Sequence, residues 1–272
     1  MTSSKMSCVR NSTSTITLTF GDAGENHPGM EVVGKVGERG SGFTPEDLFV
    51  MMEYYAALGY EVEMDMLDPP NKFVESAAIL IIRNFIPKDV QEAMFEDLTV
   101  SVKWDDKYWD GRRVKVLHSR ARKNLVFADG FSQEPDYEKK KGRIVDIRNV
   151  RGFASLCESI KVGINEACDF DKASGLVCEG NFYDSRKSGI GWHGDRERRK
   201  VVAVRLGRSM KICWQWFHAC KPVGTKYEYM INSGDIYIMS EKAVGADWLY
   251  SASYTIRHAA GCSKYTDLPS GA

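Results

Sequence analysis

Gly180 to Asp195 reads GNFYDSRKSGIGWHGD, and the interpretation of the whole chain turns on its last three residues, His193-Gly194-Asp195. In an extended strand, residues i and i+2 project to the same side. His193 and Asp195 therefore present an imidazole nitrogen and a carboxylate oxygen to one point. That is two thirds of the facial arrangement of two histidines and one carboxylate that holds non-haem iron with open positions. The third donor must be a histidine from elsewhere, in a chain that has five.

Around this stretch, from Gly175 onward, short strands broken by turns are expected at 176–183, 190–194, 200–206, 210–217, 226–232, 235–240 and 254–259. Such spacing predicts an antiparallel β-sandwich or jelly roll, whose mouth can hold a metal and a small cosubstrate. Upstream, Phe153, Leu156, Ile160 and Ile164 mark an amphipathic helix over 151–168 that covers the core. Residues 103–143 are polar, aromatic and basic, with Trp104, Tyr108 and Trp109 among Arg112, Arg113, Arg120 and Arg122. Cations beside aromatic faces suit a nucleic-acid surface, and they equally suit a solvated loop anchored by its tryptophans. Lys139 to Arg143 is expected to be a solvated turn.

Ala77 to Phe85 is an apolar run expected to form a buried strand, followed by a short helix opened by Pro87-Lys88-Asp89. Asp68-Pro69-Pro70-Asn71 breaks the pattern and is the expected domain boundary. Residues 1–70 are then a small α+β extension. It would hold a strand at Ile16–Phe20, a helix opened by Thr44 as N-cap with Pro45 in its first turn, and a strand at Tyr60–Met66. The first twenty residues, rich in Ser and Thr and free of acids, are expected to be a tail.

Composition removes several classes of function. With 37 basic and 37 acidic residues the net charge is zero, which argues against a strongly basic nucleic-acid protein but leaves local patches open. No apolar run reaches the ~18 residues needed to span a bilayer, so no membrane partner is expected. The seven cysteines are scattered without a CxxC pair, pointing to a reduced intracellular compartment, cytoplasmic or nuclear. Nothing in the pattern fixes an oligomeric state.

Several motifs occur in order: Asn181-x-Tyr183, then Ile190-Gly191-Trp192-His193-Gly194-Asp195-x-Glu197, then Val201–Gly207, then Gly234-Asp235-Ile236-Tyr237-Ile238-Met239. Together they resemble the AlkB-like branch of the Fe(II)/2-oxoglutarate dioxygenases. The resemblance covers about the last hundred residues; 77–175 match in layout only. It implies an α+β fold with a double-stranded β-helix (jelly-roll) core at about 175–272, flanking helices, and a dioxygenase domain over 71–272 behind the 1–70 extension. It implies Fe(II), 2-oxoglutarate and O2 as cofactor and cosubstrates. The expected reaction is hydroxylation or oxidative demethylation, most naturally of a modified base in DNA or RNA. A protein or small-molecule hydroxylase, or a catalytically silent binding module, are the alternatives.

By the same resemblance His193 and Asp195 bind iron, and the distal histidine is His258, since His218 falls too early in the strand order. The cosubstrate anchor departs from the family pattern, because no arginine follows His258. Arg205, Arg257 and Lys264 are the candidates. Val202, Val204 and Leu206 share one strand face and Ala203, Arg205 and Gly207 the other, which by resemblance faces the interior. Arg205 is therefore the expected anchor, since a buried guanidinium needs an anionic partner and its fork suits a carboxylate. Asn181 and Tyr183 are expected to assist it. Trp192, Trp214 and Trp216 are expected in the core, with one of them free to act as a shelf for a flat base. Arg196, Arg198, Arg199 and Lys200 could meet phosphate at the mouth or be merely solvated.

Overall fold

The computed structural model describes residues 13–168 and 171–268. Strand β1 (Thr15–Gly21) leads into a short ladder of β2 (Ala23–Glu25) and β3 (Val32–Gly34). Helix α1 (Pro45–Ala57) starts at a capping box. The Thr44 hydroxyl accepts from the Asp47 amide, and the Asp47 carboxylate accepts from the Thr44 amide. Next come β4 (Val62–Leu67), β5 (Ala77–Ile82), α2 (Lys88–Val100), and a hairpin of β6 (Lys107–Asp110) and β7 (Lys115–His118). β8 (Lys123–Ala128), β9 (Ile144–Asp146) and α3 (Phe153–Cys168) complete the first part. The second part runs β10 (Val177–Tyr183), β11 (Gly189–His193), β12 (Val201–Gly207), β13 (Met210–His218), β14 (Lys221–Ile231) and β15 (Ile236–Met239). It ends with α4 (Glu241–Val244), β16 (Thr255–Gly261) and α5 (Ser263–Thr266).

The fold is α+β, with few helices around an antiparallel-sheet core. Eight strands make one sheet in the order β4-β5-β15-β12-β1-β10-β8-β9, antiparallel but for the β8–β9 pair. Four more make a second sheet, β11-β16-β13-β14. Strand alternation divides the core into two layers. Ile16, Leu18, Leu80, Val202, Val204 and Ile238 face the helices, packing with Leu48 and Met51 of α1 and with Leu156 and Ile160 of α3. The intervening residues Ile79, Ile81, Val201, Ala203, Tyr237 and Met239 face the second sheet, meeting Ile212, Trp214, Trp216 and Ile256. Each such side chain withdrawn from water contributes about 1.5–3 kcal/mol before chain entropy is set against it. The large sheet is largely apolar on both faces because a layer covers each, which is why β5 reads as a continuous apolar run and β12 as one broken only by Arg205.

The strands from 177 onward fall close to their expected positions, except that β14 begins at Lys221 and not at 226, and α1 and α3 lie where periodicity puts them. The expected separation at Asp68–Asn71 is not seen. β1 lies inside the large sheet, with Ile16 opposite Phe182 on one side and Leu206 on the other, and β4 extends the same sheet beyond β5. Of the expected N-terminal tail, residues 13–20 belong to the loop and strand just described, and residues 1–12 lie outside the described residues. Two further differences have local causes. The apolar run from Ala77 leaves the sheet after Ile82, where Arg83 turns to pair with Asp235 at 2.6 Å and Asn84 adopts a left-handed φ of 51°. Arg143, expected in a solvated turn, is 6% exposed and pairs with Asp105 and Glu134. No helix among the described residues is long and apolar enough to cross a membrane.

Candidate metal centre

β11 and β16 run antiparallel with His193 directly opposite His258. A register irregularity between Ile190 and His193 precedes the end of β11, and the chain then turns so that Asp195 comes back against the two rings. The Asp195 amide donates to the Val244 carbonyl at 3.1 Å, fixing this turn to α4. Only glycine fits between the two ligands, since a Cβ at Gly194 would overlap the Gly245 carbonyl. Asp195 Oδ1 lies 3.6 Å from His193 Nε2 and 3.9 Å from His258 Nε2. The three donor atoms fall within 4.8 Å of one another.

The donor chemistry suits a divalent transition metal. Burial holds both imidazoles below their ordinary range, and His258 is depressed further by His193 and Arg198 nearby. Both shifts favour the neutral imidazole. His193 Nδ1 lies 2.7 Å from the Gly191 carbonyl, so it carries the proton and leaves the Nε2 lone pair facing the cluster. Two neutral nitrogens and one carboxylate on one side of an open space make the facial set that leaves positions for other ligands. His218, the alternative third ligand, stacks on Tyr254 at 4.5 Å and is not part of this group.

The open space is a cavity of about 700 Å³ between the sheets, lined by the three donors and by Thr17, Asn181, Tyr183, Arg205 and Tyr237. Arg205 is fully buried. Its Nη1 donates to the Thr17 hydroxyl, while Nε and Nη2 have no partner among the described residues. A buried guanidinium with two unused donors, on the wall of a cavity, is arranged to receive an anion. Arg257, next to His258 in the strand, points the other way. Its guanidinium lies 4.3 Å over the Phe217 ring and donates to the Trp248 carbonyl at 3.3 Å. Lys264 lies on α5, over the Tyr265 ring. Strand alternation thus separates Arg257 from the cavity and puts Arg205 in it.

Tyr183 lines the cavity, but Asn181 is engaged at both ends. Its oxygen accepts from Arg122 Nε at 2.5 Å and its amide donates to Glu179 Oε1 at 3.0 Å. Glu179 also accepts from Arg198, which is 3% exposed and bonds Glu197 at 2.8 Å. Arg198 is therefore buried and paired on the cavity's wall, and not solvated. Arg199 approaches Glu241 at 3.8 Å and Lys200 approaches Asp22 at 3.6 Å, so both are paired within the chain. Arg196 and Arg112 remain on the cavity's lining. Sequence reasoning missed Thr17, Arg122, Glu179 and Trp248 at the site. Alternation marks Glu179, two residues before Asn181 on the same face; nothing local marks the others.

The tryptophans divide by place. Trp214 and Trp216 are fully buried between the sheets, Trp216 bonding the Leu67 carbonyl at 3.2 Å. Trp192 donates to the Asp267 carbonyl at 3.2 Å. Trp248, with its neighbour Leu249, is the tryptophan on the cavity's lining. In the basic aromatic stretch, Trp104 is an anchor, bonding the Leu98 carbonyl at 2.7 Å, while Tyr108 of the β6–β7 hairpin stacks on His27 at 3.5 Å.

No protein-family model matches the chain. A protein of Acanthamoeba polyphaga mimivirus, described as "Uncharacterized protein R156", is 37% identical over 258 residues, covering 92% of this chain and 97% of its own length.

Proposed function

The chain belongs to the same family as that mimivirus protein, and we propose that it is an Fe(II)- and 2-oxoglutarate-dependent oxygenase of the AlkB-like kind, its two sheets forming a double-stranded β-helix. One observation carries the reading: the His193, Asp195 and His258 donors share a cavity with a buried arginine whose Nε and Nη2 have no partner among the described residues. When bound, ferrous iron would supply the coupling of 2-oxoglutarate decarboxylation by O2 to hydroxylation of a substrate C–H bond. The protein's own part is to hold and exclude. His193, Asp195 and His258 would hold the metal. Arg205 and Thr17 would take the far carboxylate of the keto acid, with Tyr183 beside them. Trp248 and Leu249 would keep water off one side.

A modified nucleic-acid base is the proposed substrate. Arg112 and Arg196 on the lining can meet phosphate, and a cavity of this size exceeds what a five-carbon keto acid fills. An N-methyl group hydroxylated there would leave as formaldehyde.

Anaerobic titration with Fe(II) and 2-oxoglutarate tests the reading. A weak visible charge-transfer band is expected, and His193→Ala or Asp195→Ala is expected to abolish it together with succinate formation. A metal-replete protein that gives no band and no succinate is a binding module and not an oxygenase. Screening methylated DNA, RNA and peptides for formaldehyde release then decides the substrate class.

A further inference from the structure

Asp195 uses its two oxygens differently. Oδ1 faces His193 and His258, at 3.6 and 3.9 Å, while Oδ2 faces Arg198 Nε at 3.8 Å. Arg198 is itself held. Nη2 bonds Glu179, and both Nη2 and Nε reach Glu197 Oε1, at 2.8 and 3.0 Å. Glu179 is held in turn by Asn181, and Asn181 by Arg122. The fold makes room for this reach: a Cβ at Gly21 would lie 2.9 Å from Arg198 Cδ and 2.6 Å from the Lys200 carbonyl.

We propose that Arg198 is a positioning residue for the metal. It would fix the Asp195 carboxylate so that one oxygen alone faces the two histidines, braced by the Glu179–Asn181–Arg122 chain. This rests on the metal reading given above. Charge and geometry make it specific. Arg198 meets three carboxylates, a formal surplus of two negative charges that a divalent cation would neutralise. Asn181 then serves to brace the ligand set, and is not free to touch the cosubstrate.

Two effects of removing the guanidinium oppose one another. Coulomb's law alone says that deleting a cation beside a dication tightens metal binding. Loss of an orienting partner loosens it, typically 10–100-fold. Titration of the full chain with Co(II), followed by its visible absorption, separates them. Arg198→Gln is expected to weaken Co(II) binding 10–100-fold and to change the absorption envelope. Arg198→Lys, which keeps the charge but not the fork, is expected to fall between it and the wild type. Unchanged or tighter binding by folded Arg198→Gln overturns the proposal. So does a lowered thermal midpoint of the metal-free protein with unaltered Co(II) affinity, the mark of a purely structural pair.

If Arg198→Gln does not fold, Glu179→Gln carries the test, since it keeps the shape and leaves Arg198 in place. A several-fold loss of Co(II) affinity supports the brace, and wild-type affinity overturns it. His193→Ala is the control for the underlying reading. If it leaves Co(II) binding intact, the metal centre itself is wrong; if it abolishes binding while Arg198 and Glu179 prove silent, only the positioning role falls.

Discussion

A guanidinium sealed from water with two of its nitrogens unbonded is a cost to a cavity that holds no anion. Arg205 thus separates a binding site from a structural ion pair by the sign of its effects. Arg205→Met is expected to stabilise the metal-free protein by about 1–4 kcal/mol, at roughly 2–4 °C per kcal/mol in a domain of this size. The same change is expected to weaken 2-oxoglutarate binding on the order of 100-fold. Thermal unfolding and a cosubstrate titration measure the two. A destabilised variant with unchanged affinity would reassign Arg205 to the scaffold. Arg257→Ala is the counterpart: it removes a cation–π contact with Phe217, costing about 0.5–2 kcal/mol, and is expected to leave 2-oxoglutarate affinity unchanged. The inward placing of Arg205 was legible in sequence because period-two alternation divides VVAVRLG between two faces and the resemblance says which of them is inside. Arg198 was not, because four cations in five residues look alike until the fold shows which one turns inward.

At the scale of elements, the metal set depends on how the end of β11 meets α4 and β16. The Asp195–Val244 hydrogen bond and the close approach of Gly194 to Gly245 tie that end to the segment running on to Trp248 and Leu249. Gly194→Ala is therefore expected to cost about 1–3 kcal/mol of overpacking and to lower metal affinity with it. Calorimetry and Co(II) titration check both; wild-type metal affinity would mean that Asp195 is held independently of α4. Strands and helices were legible here because their patterns are local: the Thr44–Asp47 box, the α3 stripe and the alternation of β10 each lie within a few residues. The β6–β7 hairpin and β8 were hidden, since charged and aromatic residues interrupt the alternation that would announce them.

For the whole molecule, the decisive pairing is remote. β1 supplies Thr17 to Arg205 and separates β10 from β12, and no periodicity within 1–70 could reveal partners so far along the chain. Removing residues 1–22 is expected to unfold the protein outright, because it opens the large sheet at its centre and strips Ile16, Leu18 and Phe20 from the helix-facing core. A truncated chain that unfolds cooperatively and still binds Co(II) would restore the independent extension expected from the Asp68–Asn71 break. The same placement governs synthesis. Ile16 leaves the ribosome long before Phe182 and Leu206, the residues it must lie between. At roughly 5–20 residues per second, that first strand waits about ten to forty seconds, apolar and unpaired, for its neighbours to be made. Nascent chains of this protein should therefore depend on a holding chaperone until the last strands emerge.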